Sequence, residues 1–159
     1  MAYFISTPPV AGRPAEVHTV QMNALLTPAM DNDFKKYIYL KGVGSTVAGD
    51  AVTYDEAGVT TLLAANAIGP VAIATAAVDS TSEWGWFVVE APGGVTVNGV
   101  ASSADNVGVG RETTNGKLGD GRAAGDQIIG SVARSATTGA GDLTLQLVST
   151  AFVDDFQGA

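Results

Sequence analysis

The sequence contains no cysteine and a single histidine, His18. Without cysteine, the chain forms neither disulfides nor thiolate metal sites. Histidine metal sites usually draw on several imidazoles, and a Ser-His-Asp triad needs a histidine that a third group orients inside the fold. Because His18 lies in a proline-rich segment, we expect it to be a surface or packing residue.

Phosphate-binding loops are also missing. Gly110 and Gly116-Lys117 are separated by one residue too many for a nucleotide-binding P-loop, and Leu118 replaces the hydroxyl residue that would hold magnesium. Gly108 and Gly110 are not followed by the third glycine of a dinucleotide fingerprint. We therefore expect ordinary loop glycines here and no nucleotide cofactor.

Two close pairs of carboxylates lie near the ends of the chain, Asp31 with Asp33 and Asp154 with Asp155. Glycoside hydrolysis needs two carboxyl groups at a fixed separation across a cleft, and nothing in these positions favours that arrangement. We therefore predict no catalytic residues and interpret the pairs as solvated charges.

The tripeptide Ala-Gly-Asp occurs three times, ending at Asp50, Asp126 and Asp142, each time just before a predicted strand. Glycine and aspartate at a strand entry are typical of turns, because glycine tolerates positive φ and aspartate caps the turn. None of the three has the dense spacing of oxygen ligands that a calcium loop requires. We expect turns and no metal.

Basic residues are few: eight lysines and arginines stand against sixteen aspartates and glutamates, a net charge of −8. Nucleic-acid binding needs a cationic face, so no direct nucleic-acid partner is expected. The charge favours solubility, and it also suits a surface on the outside of a nucleic-acid container. No run of about 18 apolar residues and no secretory signal pattern occurs, so we expect synthesis in the cytoplasm and no membrane partner.

Aromatic residues make up only 7% of the chain, whereas 20 glycines interrupt an alanine- and valine-rich sequence. This composition is typical of short strands joined by turns, so we predict an all-β fold, a small antiparallel β-barrel or β-sandwich. Residues 55–58 predict a hairpin loop between strands 51–54 and 59–62, Asn98-Gly99 predicts a tight turn, and residues 63–67 predict one helical turn. Further strands are predicted at residues 37–40, 71–74, 84–90, 95–97, 107–109, 127–132 and 143–148.

Three regions follow from this pattern: an extended N-terminal arm at 1–33, a barrel or sandwich domain at 34–153, and an acidic C-terminal tail at 154–159. Four of the six prolines lie in the arm, and proline disfavours both helix and central strand. The arm is either a free terminus or a segment that adds to a neighbouring subunit. Tyr3, Phe4 and Ile5 favour the second interpretation because they are more apolar than a free tail needs.

Trp84 and Trp86 share one face of a predicted strand. Such a pair packs in a core or at a subunit interface, or forms a platform on which a sugar stacks. Together with Tyr3, Phe4 and Ile5 they are the candidate interface residues.

Residues 37–43 read Tyr-Ile-Tyr-Leu-Lys-Gly-Val, and residues 48–55 read Ala-Gly-Asp-Ala-Val-Thr-Tyr-Asp. This succession resembles the opening of the small head-decoration or capsid cement proteins of tailed bacteriophages. The stretches at 69–74, 84–89, 94–97 and 124–130 resemble the same family, so the resemblance spans roughly residues 37–148. Its motifs are strand and turn patterns rather than catalytic signatures.

The resemblance implies a virion structural protein without catalysis, which sits on the capsid surface and bridges neighbouring major capsid proteins. The implied partners are the major capsid protein and the chain itself, since such proteins often form homotrimers near three-fold positions. Two other interpretations stay open: a tail or head-fibre base component, and a carbohydrate-binding or adhesin β-module that uses Trp84 and Trp86.

Overall fold

The computed structural model describes residues 3–5, 10–100, 102–120 and 126–153. These residues form eleven strands and the loops that connect them, and they contain no helix. The expected all-β barrel fold is confirmed. The strands are β1 Val17–His18, β2 Pro28–Met30, β3 Lys36–Lys41, β4 Ala51–Tyr54, β5 Thr60–Leu62, β6 Gly69–Ala74, β7 Trp84–Gly99, β8 Gly108–Arg111, β9 Leu118–Gly119, β10 Gln127–Ala133 and β11 Gly141–Val153. Within these ranges, no helical segment has the length and apolarity needed to cross a lipid bilayer.

Two closed circuits of strand pairing share the long strand β7. In the first, β3, β7, β6, β4 and β5 pair in that order, and a parallel bridge between Lys41 and Val59 connects β5 back to β3. The Lys41 N–H donates to the Gly58 carbonyl at 2.9 Å, which secures this closure. In the second, β7, β9, β8, β10 and β11 pair in order, and β11 returns to β7. A closed barrel leaves few free strand edges.

The strand β7 runs without interruption through residues 84–99, where the sequence predicts two strands and a gap. Its register against β11 shifts between Leu145 and Leu147, which absorbs the irregular Pro92-Gly93-Gly94 stretch as a bulge. Gly94 has φ +90°, and a Cβ there would lie 2.8 Å from a methyl carbon of Thr144. The backbone therefore requires glycine at this bulge.

The tight turn predicted at Asn98-Gly99 is wrong. Both residues belong to β7 and pair with Asp142 and Gly141 of the distant strand β11. The Asn98 side chain donates to the Ala48 carbonyl at 2.7 Å, so a tertiary contact uses the group that would stabilise a turn. An Asn-Gly signal predicts a hairpin only when the next strand is the pairing partner.

The hairpin predicted around residues 55–58 is confirmed. β4 and β5 pair antiparallel with Tyr54 opposite Thr60, and Asp55 Oδ1 accepts the N–H groups of Ala57 and Val59 at 3.0 and 2.9 Å. The helical turn predicted at residues 63–67 is wrong, because this stretch is extended around a short turn. The loop is too short for helix nucleation, which costs more free energy than one hydrogen bond returns.

Both faces of the sheet formed by β3, β7, β6 and β4 contribute side chains to a buried core. Successive side chains of a strand point to opposite faces, so neighbours in β3 enter different cores. Tyr39 lies in the larger core, which extends into the second circuit, and Leu40 lies in the smaller core inside the first circuit. The smaller core consists of Leu40, Val52, Ala72, Ala74, Val78 and Phe87.

The described residues of the predicted N-terminal arm lie along the domain. β1 pairs with β7, β2 pairs with β3, and the Thr75 hydroxyl donates to the Pro14 carbonyl. Two short strands within residues 10–33 therefore join the sheets of the predicted domain. Residues 1–2 and 6–9 of the arm, and the predicted acidic tail at 154–159, lie outside the described residues.

Candidate interaction surface

The N-terminal residues 3–5 add to the outer edge of β2. The Ile5 N–H donates to the Met30 carbonyl at 2.8 Å, and the Asn32 N–H donates to the Tyr3 carbonyl at 3.1 Å. Phe4 forms an antiparallel bridge with the residue that follows β2. This is the geometry of strand addition, in which backbone hydrogen bonds hold a short segment and alternate side chains contact the sheet.

The ring of Phe4 inserts between two aromatic side chains of the core. Its centroid lies 4.6 Å from that of Trp86 and 5.3 Å from that of Tyr37. Trp86 is fully buried, and its indole N–H donates to the Ala11 carbonyl at 3.2 Å. A fully buried side chain offers no area to a partner, so the expectation that Trp86 contributes to an interface is corrected. Phe4 likewise serves as an anchor within the subunit.

Trp84 is half-buried and packs against the larger core, on the same side of β7 as Trp86. A sugar-stacking platform needs open ring faces, and Trp86 has none. The two tryptophans therefore contribute to packing and do not form the platform that the sequence left open.

Tyr3 and Ile5 remain on the surface, with 59% and 43% of their areas exposed. Their exposure follows from strand alternation, which turns Phe4 inward and its two neighbours outward. Ile5 borders an apolar cleft of about 490 Å³ on the face of β2, β3 and β7. The residues that line this apolar cleft are Ile5, Pro28, Ala29, Met30, Lys36, Tyr37, Ile38 and Val89.

The strand register explains why the apolar cleft is open. Pro28 pairs opposite Ile38, and Ile38 and Val89 pack only in part against the smaller core. The outer parts of these side chains are covered by no further layer of the described residues. At the rim, Lys36 and Glu90 form an ion pair with an N···O distance of 2.7 Å.

Asp31, which directly follows β2, forms a hydrogen bond with Tyr37, one of the two aromatic residues that Phe4 contacts. Its fully buried carboxylate accepts the Tyr37 hydroxyl at 2.6 Å and the N–H groups of Asp33 and Lys35 at 2.9 Å each. Burial, followed by the hydrogen bond with Asp31, raises the pKa of Tyr37 above its usual value. Asp33 is exposed, but Asp31 is fully buried, so the interpretation of this pair as solvated charges is wrong for Asp31.

His18 packs inside the domain. Its Nδ1 lies 2.7 Å from the Tyr39 hydroxyl, and its Nε2 lies 3.7 Å from a carboxylate oxygen of Glu16. The Tyr39 oxygen also accepts the Met22 N–H at 3.2 Å, and burial raises the pKa of Tyr39. Gly12 covers the ring, because a Cβ there would lie 2.4 Å from Nε2. The imidazole thus holds the N-terminal segment against β3.

Two of the three Ala-Gly-Asp aspartates anchor loops. Asp50 accepts a hydrogen bond from Lys117 Nζ at 2.5 Å. Asp126 accepts hydrogen bonds from Arg111 Nη2 at 2.9 Å and from Arg111 Nε at 3.1 Å. Both carboxylates are almost fully buried, whereas Asp142 is exposed. The sequence indicates the turns but not these cations, which lie more than ten residues away. Within the described ranges, no group of three or more histidine, cysteine or carboxylate side chains is arranged to hold a metal ion.

Comparison of the chain with protein-family models, with curated proteins and with solved structures found no match. The function is therefore inferred from the residues and their geometry.

Proposed function

We propose that this chain is a non-enzymatic structural protein of a tailed-phage virion, which binds the outer surface of the capsid and bridges neighbouring major capsid subunits. The observation that carries the proposal is the apolar cleft beside Ile5, Ile38 and Val89. It presents aliphatic side chains on a β-sheet that the described residues leave partly uncovered, as a protein-binding surface requires. The resemblance of residues 37–148 to capsid cement proteins supplies the class of partner.

The use of the polar side chains supports binding rather than catalysis. His18 contacts Tyr39 and is covered by Gly12, and the buried Asp31, Asp50 and Asp126 carboxylates each hold backbone or side-chain donors of their own subunit. These groups are engaged in holding segments together. The net charge of −8 supports a position on the outside of a DNA container, where contact with phosphate is not needed.

The adhesin interpretation loses the feature that favoured it, because Trp86 is buried. A tail or head-fibre base component would use the same apolar cleft. Binding to purified capsids and to purified tails separates this alternative from the capsid proposal.

The test is to incubate the purified protein with capsids that lack it and to measure the bound fraction and the heat resistance of the particles. We expect saturable binding and a higher temperature of DNA release. Ile5→Asp should weaken binding because it places a charge at the apolar cleft. Ile129→Asp is the matched control, since Ile129 is 57% exposed on β10, outside that cleft. Absence of binding, or binding without any gain in heat resistance, contradicts the proposal.

A further inference from the structure

A second cleft, which we call the acidic cleft, lies beside the β4–β5 hairpin and has a volume of about 580 Å³. Its apolar wall includes Ile68 and Val59, which are 66% and 37% exposed. Leu26, Tyr54 and Pro70 also line the cleft and are partly buried. Uncovered aliphatic side chains at a concave site favour a ligand that brings apolar atoms of its own.

The rim of the acidic cleft is negatively charged. Asp55 and Glu56 both line it and are exposed, and among the described residues neither is paired with a lysine or arginine. Asp55 uses Oδ1 to cap the hairpin turn, which fixes the position of its carboxylate. Asp55 is therefore held at the mouth of the acidic cleft beside Glu56, and no lysine or arginine of the described ranges neutralises either carboxylate.

We propose that the acidic cleft docks a basic peptide segment of a partner protein, in which lysine or arginine alternates with aliphatic residues. The cationic groups would pair with Asp55 and Glu56, and the aliphatic side chains would cover Ile68 and Val59. A second copy of this chain is disfavoured as the occupant, because its net charge of −8 would meet like charge. Nucleic acid is disfavoured for the same reason. The assignment of this segment to the major capsid subunit rests on the proposed function.

The direct test uses two hexapeptides with uncharged, blocked termini. In one, arginine alternates with isoleucine, and in the other, glutamate alternates with isoleucine. Each is titrated into the isotopically labelled full chain while amide resonances are followed at low and at physiological salt. We expect the arginine peptide to shift resonances at residues 55–59 and 68, with an affinity that falls as salt rises. Equal binding of the glutamate peptide, or shifts confined to other regions, overturns the inference.

Paired variants separate local charge from total charge. The double variant Asp55→Asn/Glu56→Gln keeps the turn cap, because an asparagine Oδ1 still accepts the two N–H groups, and should lower affinity about two- to tenfold. The control Asp79→Asn/Asp105→Asn removes two exposed carboxylates elsewhere and should leave affinity nearly unchanged. An equal loss in both variants shows a general charge effect and overturns the inference.

The same variants distinguish failure of this inference from failure of the proposed function. If the native chain binds capsids and Asp55→Asn/Glu56→Gln binds equally well, the acidic cleft is not a docking site, while capsid binding stands. If the arginine peptide binds as expected and capsids do not bind, the proposed function fails, while the preference of the cleft for basic segments stands.

Discussion

Replacing Phe4 with alanine tests whether the N-terminal segment is an integral part of the domain. Phe4 is half-buried, and its ring contacts Trp86 and Tyr37 at centroid distances of 4.6 and 5.3 Å. A fully buried phenylalanine costs about 3–5 kcal/mol when truncated to alanine, and an aromatic pair contributes about 0.5–1.5 kcal/mol beyond area burial. For a half-buried ring with two such contacts, we expect a loss of about 2–3 kcal/mol in the free energy of unfolding.

The assay is urea unfolding followed by near-ultraviolet circular dichroism, which reports on the packing of Trp86. In a chain of 159 residues, each kcal/mol shifts Tm by about 2–4 °C, so a fall of roughly 4–12 °C is expected in a thermal scan. Tyr3→Ala is the control, since Tyr3 is 59% exposed and should cost less than about 0.5 kcal/mol. Phe4→Leu should lie between the two, because it keeps apolar volume and loses the aromatic contacts.

A Phe4→Ala variant no less stable than Tyr3→Ala would refute the reasoning. That result would mean that residues 3–5 dock without contributing to global stability. An unchanged near-ultraviolet spectrum would point the same way, because removing Phe4 exposes one face of the Trp86 environment.

Two further predictions concern backbone geometry and pH. Gly94→Ala should lower the free energy of unfolding in urea by about 1–3 kcal/mol, because φ is +90° and the added Cβ would lie 2.8 Å from a methyl carbon of Thr144. The control is Gly93→Ala, whose Cβ would have no heavy atom within 4 Å. Its free energy of unfolding should stay within about 0.5 kcal/mol of that of the native chain. Equal losses would contradict the bulge requirement. Burial raises the pKa of Tyr37 above its ordinary 10.0, so its neutral form is favoured in the folded state. That contribution is complete below pH 10 and is lost as pH rises above it, so unfolding measured against pH should show a steeper alkaline loss for the native chain than for Tyr37→Phe. Parallel curves would refute this assignment.

The candidate interface residues show how far local sequence reaches. The apolar character of residues 3–5 favours addition to a neighbouring subunit, whereas in the structure this segment adds to β2 of its own chain. Alternation along the strand divides it into an inward Phe4 and outward neighbours. Tryptophan is a residue type that is common at interfaces, yet Trp86 is buried because β3 lies alongside β7 and Phe4 covers its ring. Nothing within a few residues of Trp86 carries that information.

The apolar cleft was not predictable for a similar reason. Pro28 argues against a strand, yet β2 tolerates it because an outer strand position does not require every N–H. Ile38 and Val89 look like ordinary core residues of their strands. Their partial exposure arises because they pack only in part against the smaller core, whose members come from strands far apart in the sequence.

By itself, the sequence determined the all-β class, the hairpin at residues 55–58 and the main strands, because alternation, β-branched content and turn residues act over a few neighbouring positions. Only the tertiary structure decided that residues 84–99 form one strand, that Asn98-Gly99 pairs rather than turns, and that Asp50 and Asp126 meet Lys117 and Arg111. These outcomes depend on contacts between residues far apart in the chain. The free energy of such contacts comes from closure of the two circuits and burial of both sheet faces, which no local pattern specifies.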